Sequence, residues 1–197
     1  MSFPQNDSGS PQGGPPESGF SANPASPLDS PEAFQALFSS ALDLLSRREH
    51  SCQELRQKLG SKYPDGDFDS IFDRVLLRLQ ELNYQSDKRF AEVFCRSRVQ
   101  RGQGPLRIRQ ELQLRGVPSA LVQGAMEQIQ EEVDWFQLAL ELLQRKFRRP
   151  VDPGVTREEQ LKERARRQRY LAYRGFFADA IQFALAELDS GGNREQY

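Results

Sequence analysis

Two stretches decide how this chain folds. "LQLRGVPSALVQGAMEQI" (Leu112–Ile129) aligns without a gap on "LAYRGFFADAIQFALAEL" (Leu171–Leu188) at an offset of 59 residues. Leu112 pairs with Leu171, Arg115-Gly116 with Arg174-Gly175, Val117 with Phe176, Val122 with Ile181, Ala125 with Ala184, Met126 with Leu185 and Ile129 with Leu188. The apolar matches recur at three- and four-residue spacing, which is the period of a helix face, and each Arg-Gly pair is a helix stop followed by a new start. A looser copy lies upstream, where Ile71, Phe72, Val75, Leu76 and Leu79 match Leu121, Val122, Ala125, Met126 and Ile129. The pattern predicts an all-α chain of three tandem three-helix repeats. A triplet of about 50 residues buries only part of its apolar area by itself, so the repeats should stack into an elongated, curved body.

Working outward, helix punctuation fills in the remaining elements. At "SPEAFQALFSSALDLLSRR" Ser30 is placed to cap, Pro31 fits the first turn, and Phe34, Leu37, Phe38, Ala41, Leu42 and Leu45 share one face. "SCQE" (Ser51–Glu54) reads as a capping box, with Gly60 placed to end that helix, and "TREE" (Thr156–Glu159) reads as another box. A helix starting near Asp87 uses Phe90, Ala91 and Phe94 before Gly102, and Gly104-Pro105 opens the next, with Ile108 and Leu112 inward. Nine helices and no sheet are expected. The expected organisation is a disordered tail at 1–30, repeats at 31–87, 88–135 and 136–189, and a flexible end at 190–197. The tail follows from composition: seventeen of the first thirty residues are Pro, Gly or Ser.

Formal net charge is −1, yet the first forty residues hold Asp7, Glu17, Asp29 and Glu32 and no base, so the body is mildly basic. "MSFPQNDSGS" has no charged-then-apolar start of an export signal, and no apolar run reaches membrane-spanning length, so a cytoplasmic location is expected. Cys52 and Cys95 match no metal or redox spacing and are expected to be reduced thiols.

Enzyme signatures fail in turn. His50 is the only histidine, which excludes His-based zinc sites, and capping explains its neighbour Ser51 better than nucleophilic chemistry does. "DGDFDS" has Ser70 where a calcium loop requires glycine and Leu76 where it requires glutamate. "RGQGP" follows a helix, not a strand, and lacks the Walker lysine, so its glycines close one helix and open the next. No catalytic residue, cofactor or metal is expected.

What remains is charge. Arg96, Arg98, Arg101, Arg107, Arg109 and Arg115 flank the "RGQGP" turn, and residues 145–174 carry eleven bases against Asp152, Glu158, Glu159 and Glu163. Such runs are often plain solvated faces. Two of them in corresponding parts of repeated units suit either phosphates or an acidic protein groove. The sequence shows no aromatic residues interleaved with them in the manner of single-strand binders.

"ALDLLSRREHSCQELRQKL", "SDKRFAEVFCRSRVQRGQGPLRIRQELQLRGV" and "YRGFFADAI", in this order, resemble the RecX family of bacterial regulatory proteins over roughly residues 41–188. The resemblance implies a non-enzymatic, monomeric partner of the RecA recombinase and of its filament on single-stranded DNA, limiting filament growth, ATP hydrolysis, strand exchange and coprotease activity. Carried over by position, it implies partner contacts at Arg47, Arg48, Arg96, Arg98, Arg101, Arg107, Arg109, Arg115, Arg166, Arg167, Arg169 and Arg174, with direct contacts to DNA phosphate as an option. Phe90 and Gly175-Phe176 match core and turn positions. Tyr173 stands where a second arginine is common, and "NYQSD" replaces the usual glycine and aspartate pair before the fourth helix, where Asn83 suits a left-handed turn and Ser86 or Asp87 a cap. A stand-alone helical DNA-binding protein is the alternative.

Overall fold

The computed structural model describes residues 31–63, 68–147 and 156–191. The tail expected at 1–30, its Ser30 cap, the loop at 148–155 and the end beyond 191 lie outside the described residues. Within them the chain is all helix: α1 (Pro31–Leu45), α2 (Cys52–Lys62), α3 (Phe68–Glu81), α4 (Asp87–Gln100), α5 (Pro105–Leu114), α6 (Ser119–Glu132), α7 (Trp135–Lys146), α8 (Arg157–Arg174) and α9 (Ala178–Gly191). No helix among these residues is long and apolar enough to cross a membrane, and no group of three or more His, Cys, Asp or Glu is placed to hold a metal.

The core divides as the helix periods dictate. Leu37, Ala41, Leu55, Leu59, Ile71, Phe72, Val75 and Leu79 fill one cluster from α1–α3. Phe90, Ala91, Cys95, Ile108, Leu112, Val117, Val122, Ala125, Met126 and Ile129 fill a second from α4–α6, and Ala139, Leu140, Leu142, Leu143, Leu171, Phe176, Ala180, Ile181, Ala184 and Leu185 a third from α7–α9. The repeat pairs coincide: Leu112 and Leu171 are both fully buried, and Val122–Ile181, Ala125–Ala184 and Met126–Leu185 occupy matching places. Trp135 packs against both the second and third clusters, with an edge-on contact to Phe176, so it ties the two units together. Three three-helix units in tandem are therefore observed.

The local signals mostly hold, with two corrections. Ser86 and Thr156 cap α4 and α8, Thr156 with Glu159 as a full reciprocal box, and Asn83 sits in the left-handed region at φ 57°. Gly60, however, does not end α2, which runs on to Lys62. The Phe68 ring lies 3.3 Å from where a Gly60 Cβ would be, so packing against the next helix explains this glycine. The Ser51 box is only half formed: the Ser51 hydroxyl accepts from the Glu54 N–H (3.1 Å), but the Glu54 carboxylate turns away to His50, Arg48 and Arg115. Both cysteines are free thiols, and burial pushes the Cys95 thiol up to about 11.

Candidate partner interface

The middle helices of the three units, α2, α5 and α8, meet end to end, and the predicted arginines gather at their junctions. A helix leaves its first N–H groups and last carbonyls unpaired. Here the C-terminus of α8 supplies what the N-terminus of α5 lacks: the Gly104 N–H donates to the Arg174 carbonyl (2.7 Å) and the Leu106 N–H to the Gly175 carbonyl (3.0 Å). The backbones come so close that a Cβ on Gly104 would stand 2.4 Å from the Gly175 oxygen, and Gly175 takes φ 86°. The same join recurs one unit earlier. The C-terminus of α5 meets the N-terminus of α2, where the Ser51 hydroxyl donates to the Arg115 carbonyl (2.7 Å) beside Gly116 at φ 69°. The Arg-Gly pairs seen in the sequence repeat are thus the joints of the array. At 1.5 Å per residue the three helices give a contour of about 60 Å, which makes the body elongated.

Side chains reinforce each joint. Arg174 donates to the carbonyls of Arg101 (2.9 Å) and Gly102 (3.0 Å) at the end of α4. Arg107 donates to the Tyr173 carbonyl (3.2 Å) and to Glu111 (3.0 Å). Glu111, the one acid of the central arginine stretch, also takes Arg98 (3.1 Å) and Arg115 (3.7 Å), and Arg115 continues to Glu54 (3.2 Å), which takes Arg48 and His50. One polar network therefore links Arg48 in the first unit to the Tyr173 carbonyl in the third. Partial burial raises both carboxyl groups, but hydrogen bonds and neighbouring guanidinium charge outweigh it. Glu54, bonded by His50 and Arg48, is held at about 2, and Glu111, bonded by Arg107 beside Arg98 and Arg115, lies below the usual carboxylate value. At the first joint Asp87, read as a possible cap, instead accepts from the Cys52 N–H (2.8 Å) and from buried Gln85 (2.9 Å).

The predicted contact arginines separate into two sets. Arg48, Arg98, Arg107, Arg115 and Arg174 hold the joints, and Arg167, at 5% exposure, lies against Glu163 and the Phe147 ring inside the third unit. Arg47, Arg101, Arg109 and Arg169 are exposed and make no ion pair with the described residues. Arg96 and Arg166 are exposed with only loose pairs, to Glu92 (3.9 Å) and Glu163 (3.5 Å). The expectation of no aromatic interleaving needs correcting. Phe94 lies under both Arg98 (4.5 Å) and Arg115 (4.7 Å), Tyr170 under Arg174 (4.8 Å) and Tyr173 under Arg107 (5.1 Å). Phe94–Arg98 and Tyr170–Arg174 are one helical turn apart, Phe94–Arg115 lies within the second unit, and Tyr173–Arg107 joins the third unit to the second. Sequence reading also missed Glu54 and Glu111 as organisers. The four-residue spacing of Arg107, Glu111 and Arg115 was the available signal for the second.

Models of the first, second and third three-helix domains of RecX match residues 38–79, 86–126 and 132–185. The regulatory protein RecX of Halorhodospira halophila is 40% identical over 165 residues, covering 84% of this chain and 96% of that one. The RecX of Legionella pneumophila strain Corby is 40% identical over 153 residues, 78% and 95% of the two chains. The crystal structure of RecX from Lactobacillus salivarius superposes with a TM-score of 0.63 at 20% identity, covering 81% of this chain and 98% of that one, and so shares the fold. With all three domains matched in order and close relatives covered nearly end to end, the chain belongs to the RecX family of regulatory proteins.

Proposed function

We propose that this chain binds the RecA recombinase and its filament on single-stranded DNA and inhibits filament extension, ATPase, strand exchange and coprotease activity, acting by binding rather than as an enzyme. Family membership sets the frame, and the observation that supports the reading is the division among the arginines. The joints engage their own guanidinium groups in ion pairs and hydrogen bonds, whereas Arg47, Arg101, Arg109 and Arg169 are exposed, make no ion pair with the described residues and are spread over all three units. Guanidinium groups presented in this way suit carboxylate or phosphate oxygens of a partner, two hydrogen bonds at a time. An end-to-end array can engage several copies of a repeating partner at once, which multiplies weak contacts. Each joint satisfies itself within one chain, so the proposed acting form is a monomer, in the cytoplasm beside its partner.

The test is RecA's DNA-dependent ATPase with substoichiometric protein, run beside DNA binding by the protein alone. Changing Arg47, Arg101, Arg109 and Arg169 together to Glu should leave the fold intact, at about 0.5 kcal/mol or less per surface site, while inhibition is lost. Normal inhibition by the folded variant overturns the assignment of the contact. Loss of free DNA binding in step with inhibition, with a steep salt slope, favours the stand-alone DNA-binding reading instead.

A further inference from the structure

We infer that the joint between α5 and α8 is a binding site for single-stranded polynucleotide, with Tyr173 as a platform on which a base stacks. Tyr173 is the most exposed large hydrophobic side chain among the described residues, at 77%. Its ring is held in place from one side: Arg107, fixed by Glu111 and by the Tyr173 carbonyl, sets its guanidinium 5.1 Å from the ring centre. No second ring or cation contact to Tyr173 is found among the described residues, and at 77% exposure the ring is largely open to solvent.

Charge around the ring points to the same ligand. Lys162, Arg166, Arg169 and Tyr173 follow one another at spacings of four, three and four residues, which is one face of α8 leading up to the ring. Arg169 has no ion pair with the described residues, Arg166 only a loose one to Glu163, and Lys162 pairs with Glu158 at 2.7 Å. Across the joint stand exposed Leu106 and Arg109, and Phe177 follows two residues after Gly175. An open aromatic face beside a track of cations is the pairing that single-stranded nucleic acid recognises, since every base offers a π face and every linkage a phosphate. The repeat supplies an internal comparison. The equivalent position at the other joint is Leu114, itself 70% exposed, so both joints present an apolar side chain to solvent, but only this one presents a ring beneath a guanidinium.

The site shares Arg109 and Arg169 with the proposed RecA contact, and strand binding by the chain alone tests it separately from that contact. Fluorescence anisotropy would be measured with the full chain on labelled oligothymidylate of about 15 nucleotides, on the oligouridylate of equal length, and on an abasic phosphodiester chain of equal length. The wild type should prefer the base-bearing strands to the abasic one by roughly 5- to 150-fold, as one stacked base provides. The tighter of the DNA and RNA strands identifies the natural ligand. Tyr173→Ala should erase the preference while keeping the salt slope, Tyr173→Phe should retain it, and Tyr173→Arg should steepen the salt slope without restoring it. Equal binding of base-bearing and abasic chains by the wild type overturns the inference. So does an unchanged preference in Tyr173→Ala, or the absence of binding to any of the three strands. Loss of RecA inhibition in Tyr173→Ala with strand binding unchanged would assign the ring to a protein contact instead, and also refutes it.

Discussion

Replacing Glu111 by Gln removes one negative charge and leaves three guanidinium groups facing one another. Arg98, Arg107 and Arg115 lie 3.1, 3.0 and 3.7 Å from its carboxylate. Exposed ion pairs contribute about 0–1 kcal/mol, whereas breaking a fully buried one costs about 3–5 kcal/mol. With Glu111 at 16%, Arg98 at 18%, Arg115 at 28% and Arg107 at 33% exposure, the site lies between these limits. The Gln keeps one acceptor, so the expected loss is about 2–3 kcal/mol, or roughly 4–12 °C in melting temperature for a chain of this size. Thermal and urea unfolding followed by circular dichroism measure it, with Glu141→Gln on an exposed helix face as the control, expected within about 0.5 kcal/mol. Because Arg115 lies 3.7 Å from the Glu111 carboxylate, the double variant Glu111→Gln/Arg115→Gln should fall short of additivity by about 0.5 kcal/mol or more. If Glu111→Gln melts within about 1 °C of the wild type, the carboxylate does not organise the joints and the division of the arginines into two sets collapses.

Three further outcomes are expected. Leu112→Ala and Leu171→Ala, fully buried at equivalent repeat positions, should each lose about 2–5 kcal/mol in urea unfolding, and a neutral result at either site would break the repeat alignment. Gly104→Ala places a Cβ 2.4 Å from the Gly175 oxygen, so it should force α8 away from α5 at a cost of about 1–3 kcal/mol and raise amide hydrogen exchange at Leu106. Glu54 is held at about 2 against an ordinary value of 4.5, so its contribution is complete above pH 4.5 and is lost as pH falls from there through 2. Glu54→Gln should therefore be less stable than the wild type at pH 6, and the two should converge toward pH 2.

The local pattern of the chain was enough to determine its helices and repeats. Apolar spacing at Leu112, Val122, Ala125, Met126 and Ile129, and again at Leu171, Ile181, Ala184, Leu185 and Leu188, is a property of one helix face at a time, and the caps at Ser86 and Thr156 act within one turn. The Arg-Gly repeat was visible for the same reason, because Gly175 needs its left-handed φ of 86° where it stands. What the arginines do could not be read in that way. Arg109 and Arg107 look alike in sequence, yet one makes no ion pair with the described residues and the other bonds to a carbonyl 66 residues away. Whether a guanidinium is already engaged depends on carboxylates and carbonyls that neighbouring units bring to the joints, as Arg115 shows by pairing with Glu54 from the first unit and Glu111 from the second. The pairing of rings with guanidinium groups was hidden likewise, since Tyr173 meets Arg107 only where α8 ends against α5. Short-range periodicity sets the elements, and the end-to-end joining of helix termini decides which of these arginines are engaged within the fold and which stay exposed.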